Sequence, residues 1–228
     1  MFKDLWRLLK TQRGLLDEAH ARTSEMLNET RRMFEMVVHA IKEDVAQDFR
    51  DQIPRMDRDV NRKQIEVRKK VFEHLAISQG DDLLLGLILT SVVGDIERIG
   101  DYTKNIGDLA AFFAGRLEFG EQEALFHDFV RRTEELFRLT QLAFFGHDES
   151  AARQAQERYH DLALEADSTL KAAFERSAGD DRIAKSELAF LLLLRYLKRV
   201  GAHLKNICTT VINPYPEIGY FARSPGKS

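Results

Sequence analysis

From Arg55 to Asn213 the chain contains no proline; its four prolines stand at Pro54, Pro214, Pro216 and Pro225. Proline breaks helices because it has no N–H to donate and its ring collides with the preceding turn. So long a span without one is open to long helices, and the apolar residues show where they run. Leu27, Phe34, Val38, Ile41 and Val45 recur three, four or seven apart, predicting an amphipathic helix over Leu16 to Asp48. After a turn at Ile53-Pro54, the stripe Val60, Val67, Val71 and Leu75 predicts a second helix reaching about Ile77. Ser78-Gln-Gly-Asp-Asp82 then offers a glycine to stop that helix and acids to meet the positive end of a third, expected from about Asp82 to Ala114.

Beyond a connector at Gly115 to Gly120, the pattern starts again. Leu125, Phe129, Leu136, Leu139 and Ala143 carry a fourth predicted helix to Phe145, and Gly146-His-Asp-Glu-Ser150 ends it. Tyr159, Leu162, Ala166, Leu170 and Ala173 mark a fifth, and a sixth runs from the breaker Ser177-Ala-Gly-Asp-Asp181 to Pro214. The breaker Ser78 to Asp82 returns 99 residues later at Ser177 to Asp181. Glu97-Arg-Ile-Gly-Asp-Tyr-Thr-Lys-Asn-Ile106 returns 101 residues later as Lys198-Arg-Val-Gly-Ala-His-Leu-Lys-Asn-Ile207. Both matches fall at the same place in the third helix of each half, so the expected fold is all-α: two tandem three-helix bundles, six long helices from one internal duplication. The expected boundaries are an N-terminal amphipathic segment at 1–15, a first repeat at 16–117, a second at 118–214 and an irregular tail at 215–228.

Composition narrows the class of function. With 228 residues, 44% of them hydrophobic, the chain can bury a substantial core. A net charge of -3 gives no overall attraction to nucleic acid. The apolar run from Leu83 to Val93 falls short of the roughly 18 to 20 residues that span a bilayer, so no transmembrane span is expected. One cysteine, Cys208, leaves no internal disulfide, and the start Met1-Phe-Lys-Asp-Leu-Trp-Arg lacks a signal peptide's apolar stretch; the cytoplasm is the expected compartment.

At 100° per residue Val92, Ile96, Ile99, Thr103 and Ile106 share one side of the third helix, and Glu97, Asp101 and Asp108 the other, away from the core. Glu97 and Asp101 lie one turn apart, a like-charge pair that costs a few tenths of a kcal/mol, roughly, in an isolated helix. A hard cation would offset that repulsion by drawing oxygens from adjacent helices. Arg98 and Lys104 are the alternative source of positive charge, on an ordinary solvated face.

Asp95-Ile-Glu-Arg-Ile-Gly-Asp-Tyr-Thr-Lys-Asn-Ile106 resembles the signature of the PhoU family, and Arg199-Val-Gly-Ala-His-Leu-Lys-Asn-Ile207 stands where that family has its second copy. The resemblance runs from the first predicted helix to Pro214. It implies a cytoplasmic regulator of phosphate transport and phosphate-starvation signalling that contacts the ATPase of a phosphate ABC transporter and a sensor histidine kinase, as a homodimer. It also implies metal ions (iron, zinc, manganese or magnesium) held by acidic pairs from two helices of each repeat. In the first repeat the implied ligands are Glu97 and Asp101 with Asp57 and Asn61, where an amide replaces the second acid. In the second they are Glu157 and Asp161, but Lys198 and Ala202 replace the third-helix acids, and Lys198 is expected to pair with Glu157 or Asp161 instead.

Other functions fit the residues less well. A di-iron carboxylate enzyme needs a Glu-x-x-His from each of two helices, and only Glu157-Arg-Tyr-His160 is present. Cys208 has no histidine at hydrogen-bonding helical spacing, His203 being five residues away on another face, and reads as a small buried hydrophobe. No Gly-rich phosphate loop occurs. A helical adaptor for a different phosphate carrier, without a signalling role, stays open. So does docking by Phe2, Leu5, Trp6 and Leu9, an apolar stripe that packs on its own bundle or on a partner or membrane surface.

Overall fold

A computed structural model describes residues 2–43, 49, 51–78, 80, 82–112, 118–177 and 184–221, and the side chains among them except those of 2–13, 43 and 177. Six long helices run through the described residues: α1 (Phe2–Glu43), α2 (Gln52–Ile77), α3 (Leu83–Phe112), α4 (Glu123–Gly146), α5 (Glu149–Ser177) and α6 (Lys185–Ile212). Short 3-10 turns at Gly120–Gln122 and Tyr215–Glu217 complete them, and there is no strand among the described residues. The N-terminal segment is continuous with α1, whose backbone is helical from Phe2; the side chains of Phe2, Leu5, Trp6 and Leu9 lie outside the described residues. Pro54 sits inside α2 as its third residue, where the missing N–H would have had no partner within the helix. Between α2 and α3, Gly80 takes a left-handed φ of 95°, and Asp82 Oδ2 lies 2.9 Å from His74 Nε2, tying the loop to the end of α2. The matching breaker after Ser177 and the connector over 113–117 lie outside the described residues.

α1, α2 and α3 pack on one another, as do α4, α5 and α6, and the bundles join mainly through α3 against α6. The duplication shows in which positions are buried. Thr30 and Thr133, Phe34 and Phe137, and Ala40 and Ala143 are buried pairs 103 apart on α1 and α4. Ile53 and Ala155, and Val60 and Leu162, are 102 apart on α2 and α5; Ile96 and Leu197, and Ile106 and Ile207, are 101 apart on α3 and α6. Each helix therefore buries one stripe per repeat, as the periodicity demands.

The bundles meet across an internal pseudo-twofold. Asp95 on α3 meets His203 on α6, and Tyr102 meets Tyr196 at 6.2 Å between ring centres, so the two helices run antiparallel. Shifting Asp95 and His203 by 101 in opposite senses gives Tyr196 and Tyr102, the other contact of the same interface. Phe34 and Phe137, equivalent residues of α1 and α4, touch at 5.4 Å near the same axis.

The equivalent glycines of the repeated motif sit in unequal space. A Cβ on Gly100 would lie 3.6 Å from Thr30 and 3.8 Å from Val60, ordinary contacts, whereas one on Gly201 would come within 3.1 Å of Leu136 and 3.2 Å of Tyr159. Gly100→Ala is expected to stabilise the chain by up to about 1 kcal/mol through helix propensity. Gly201→Ala is expected to destabilise it by about 1 kcal/mol, because Leu136 is fully buried and cannot yield. Urea denaturation of the two variants checks the difference in sign.

Candidate functional site

The first-repeat residues chosen from the motif do come together, in the groove between α2 and α3. Asp57 and Asn61 are successive turns of α2, and Glu97 and Asp101 successive turns of α3. Gly100 lies beside Asp57 in this groove, where a Cβ would stand 3.9 Å from Asp57 Oδ1, an ordinary contact. The groove is not the solvated face expected for these acids. Asp57 is buried, with only 6% of its surface exposed, and Glu97 and Asp101 are half-buried; Asp108 alone is fully on the outside. Two helices packed at close range cover side chains that a single helix would leave in water.

Lys104 stands among these acids. Its Nζ donates to Asp57 Oδ2 at 2.9 Å and to Asp101 Oδ1 at 3.3 Å, joining α2 to α3 through one ammonium. Burial works against the charge on Lys104, yet the bonds and charges of Asp57 and then Asp101 outweigh it and raise its pKa. Arg98 lies alongside Glu97 at 3.7 Å. Burial first, then the charge of Asp101, raises the Glu97 pKa, with Arg98 and Arg68 acting the other way. The side-chain oxygen of Asn61 is buried with no hydrogen-bond donor, the feature a cation ligand would have. Among the described residues, however, no three of His, Cys, Asp and Glu are arranged around a common point as metal ligands. Asp57 and Asp101 point at an ammonium, so as arranged the set does not fit a hard cation, which needs six or more converging oxygens.

The second repeat departs further. Buried positions set α5 against α2 at 102 residues, so the counterpart of Asp57 is Tyr159 and that of Asn61 is Ala163. Gly201, the counterpart of Gly100, indeed faces Tyr159. Glu157 and Asp161, chosen at a spacing of 100, are instead exposed and off this groove. Asp161 lines a surface cleft of about 620 Å³ beside Arg131, Arg138 and Arg158. Those arginines are largely matched by acids, Arg138 by both oxygens of Glu135 and Arg131 by Asp128. Lys198 pairs with Asp167, not with Glu157 or Asp161, because a step of two residues turns α5 by more than half a circle. His160 is an exposed side chain set edge-on to Phe221 at 5.5 Å, which leaves the di-iron pattern without a centre.

Lys205, the counterpart of Lys104, is buried. It donates to the carbonyl of Gly219 and lies over the rings of Tyr159 and Phe221, at 5.7 and 5.2 Å. Burial lowers its pKa. The segment after α6 has no long element beyond its 3-10 turn, and as far as Phe221 it is tied down: Gly219 N–H donates to Thr209 Oγ1 at 2.7 Å, and Asn213 Nδ2 donates to the carbonyls of Glu217 and Tyr220. It seals the second-repeat groove.

Sequence reasoning missed the junction between the repeats. Asp95 Oδ1 lies 2.7 Å from His203 Nδ1 and 3.1 Å from Asn206 Nδ2. A carboxylate can only accept, so Nδ1 carries the hydrogen. Arg199 Nε donates to the Tyr102 hydroxyl at 3.0 Å, and its guanidinium lies 5.3 Å above the Tyr102 ring. Every one of these residues lies in the two motif copies; the signal was present, but nothing in a single helix says that the copies face each other. Cys208 is as expected: fully buried, its thiol against Thr140 and pushed up to about 12 by burial.

The Glu97 shift has a testable sign. A carboxyl whose folded pKa is raised binds more protons folded than unfolded, so stability falls as pH rises from its unfolded value through its folded one. Glu97→Gln is expected to stabilise the chain at pH 7 by a few tenths of a kcal/mol, roughly, as relief of a like-charge pair, with the gain vanishing near pH 4; melting curves across that range check it.

The PhoU domain family model matches the chain twice, over residues 23–110 and 127–211. The matches cover most of both bundles, including both motif copies. No curated protein sequence matches the chain significantly. Among solved structures it is similar to PhoU from Pseudomonas aeruginosa, with a TM-score of 0.77 at 20% identity over 88% of this chain and 96% of that one. It is also similar to the phosphate transport system regulatory protein PhoU from Streptococcus pneumoniae, with a TM-score of 0.70 at 19% identity over 92% and 98% of the two chains. With its motif, its duplicated bundles and two family matches spanning most of its length, the chain belongs to the PhoU domain family.

Proposed function

We propose that this protein regulates phosphate transport and phosphate-starvation signalling in the cytoplasm, through contact with the ATPase of a phosphate transporter or with its sensor histidine kinase. The double family match carries this reading, and the Streptococcus pneumoniae relative is itself described as a regulatory protein of the phosphate transport system. The chemistry of the chain agrees with a role by contact. Its one thiol is buried and protonated, and its partly buried carboxylates in the first repeat are held by basic side chains.

The surface offers places for contact. Phe72 on α2 is 73% exposed, and its counterpart 102 residues on, Phe174 of α5, is also 73% exposed. Leu87 and Leu188, counterparts on α3 and α6, are exposed as well, and so are Leu84 and Leu85 in the first repeat. Single exposed leucines are ordinary, but the same aromatic and aliphatic positions left uncovered in both repeats favour protein partners or a second copy of the chain. No helix of the described residues is long and apolar enough to cross a membrane, which agrees with a partner-bound peripheral role.

Cells lacking the chain should lose repression of phosphate uptake and of starvation reporters at high phosphate. Re-expressed wild-type protein should restore it, and a Phe72→Asp, Leu84→Asp variant that still folds by circular dichroism should restore it poorly. Normal uptake and reporter output without the chain at both high and low phosphate would overturn the assignment.

A further inference from the structure

We infer that Lys104 is the resident cation of the first-repeat carboxylate groove, an ammonium built into the chain that joins α2 to α3 where a bound metal was expected from the sequence. The Lys104 ammonium spans the two helices, with one oxygen of Asp57 at 2.9 Å and one of Asp101 at 3.3 Å. These are not loose surface partners: the side chains are 29%, 9% and 35% exposed for Lys104, Asp57 and Asp101, so solvent screens their attraction only in part. The remaining acid, Glu97, has Arg98 at 3.7 Å and feels Arg68 as well. Asp57 and Asp101 therefore share a positive charge supplied by the chain itself, and Glu97 has Arg98 alongside it, although burial and Asp101 outweigh that arginine. A divalent ion entering here would first have to expel Lys104 from both carboxylates and leave its ammonium close by.

The second repeat supplies an independent observation. Lys205 occupies the same motif position and reaches the same place, the α5 position equivalent to Asp57, although Tyr159 stands there and no acid does. A carbonyl and two aromatic rings hold that ammonium instead of carboxylates. In both repeats the groove between the second and third helices is filled by a lysine of the motif, with partners of entirely different chemistry. A lysine recruited merely by the acids of the first repeat would have no reason to enter the groove of the second. The inference concerns how the groove is held and does not depend on which partner the protein regulates.

Thermal melting and metal analysis of the full chain test it. Wild-type protein is expected to carry no stoichiometric metal after dialysis, and its Tm is expected to be unchanged by EDTA or by millimolar magnesium, manganese or zinc. Lys104→Met is expected to lower Tm by roughly 4 to 10 °C, since two partly buried carboxylates lose their counter-ion. Manganese or zinc should then recover part of the loss, and Asp57→Asn added to Lys104→Met should abolish that recovery. Lys104→Arg, which keeps the charge, should stay within about 2 °C of wild type and remain insensitive to metal. Stoichiometric metal in the wild type that is lost on Asp101→Asn, or a wild-type Tm that falls on chelation, would overturn the inference even if Lys104→Met failed to fold. So would a Lys104→Met protein as stable as wild type.

Discussion

The Asp95 carboxylate accepts from His203 and Asn206 across the seam between the two bundles, and the arrangement of the molecule follows from what that seam demands. A buried or half-buried carboxylate is tolerated only with its hydrogen bonds made. Both donors come from one face of α6, one turn apart, so α3 and α6 can pair in only one register. That register is antiparallel and places Tyr102 against Tyr196 and under Arg199, the pseudo-symmetric mate of the Asp95 contact. An apolar seam between two three-helix units could slide by a turn at little cost. Polar pairs of this kind supply the specificity that leucine and valine cannot.

Duplication produced two grooves with one backbone plan, and substitution made them different. In the first, Asp57, Glu97 and Asp101 line the cleft between second and third helices. In the second, Tyr159, Lys198 and Ala202 stand at the equivalent places, and the segment to Phe221 is drawn against Tyr159 by Lys205, Thr209 and Asn213. The covered groove is an internal contact of the chain; the first keeps Asp57 buried and Asp101 half-buried, both bound to Lys104, with Glu97 beside Arg98. One repeated unit in this way gives the chain two unlike faces without a new fold.

Much of this architecture was readable from the chain. Helix positions followed from apolar spacing because each helix buries one stripe, a property of the 3.6-residue period that needs no knowledge of neighbours. Both motif copies, the glycines at their centres, the burial of Cys208 and the one-turn pairs Glu97 with Asp101 and Asp57 with Asn61 were likewise legible, since residues one turn apart on a helix share a face, while the joining of the two pairs across helices came from the family resemblance. The pairing of Glu157 and Asp161 with the second groove was not, because it depended on a register between helices. The breaker and the motif set two spacings, 99 and 101, while α5 itself follows α2 at 102. An error of two residues on a helix turns a side chain by about 200° and moves it from groove to solvent.

By itself, then, the amino-acid sequence determined the helices, their duplication and the residues able to carry charge at the motif, because those depend on local periodicity and composition. Tertiary structure decided which helix each charged residue faces. Lys104 was visible beside Asp101, three positions away on the same helix, but its bond to Asp57 crosses from α3 to α2. Lys205 was visible as its repeat, but the carbonyl of Gly219 and the ring of Phe221 reach it only when the chain folds back after α6. Whether a set of carboxylates faces water, a metal or an ammonium depends on groups brought together from distant parts of the chain, and packing alone brings them together.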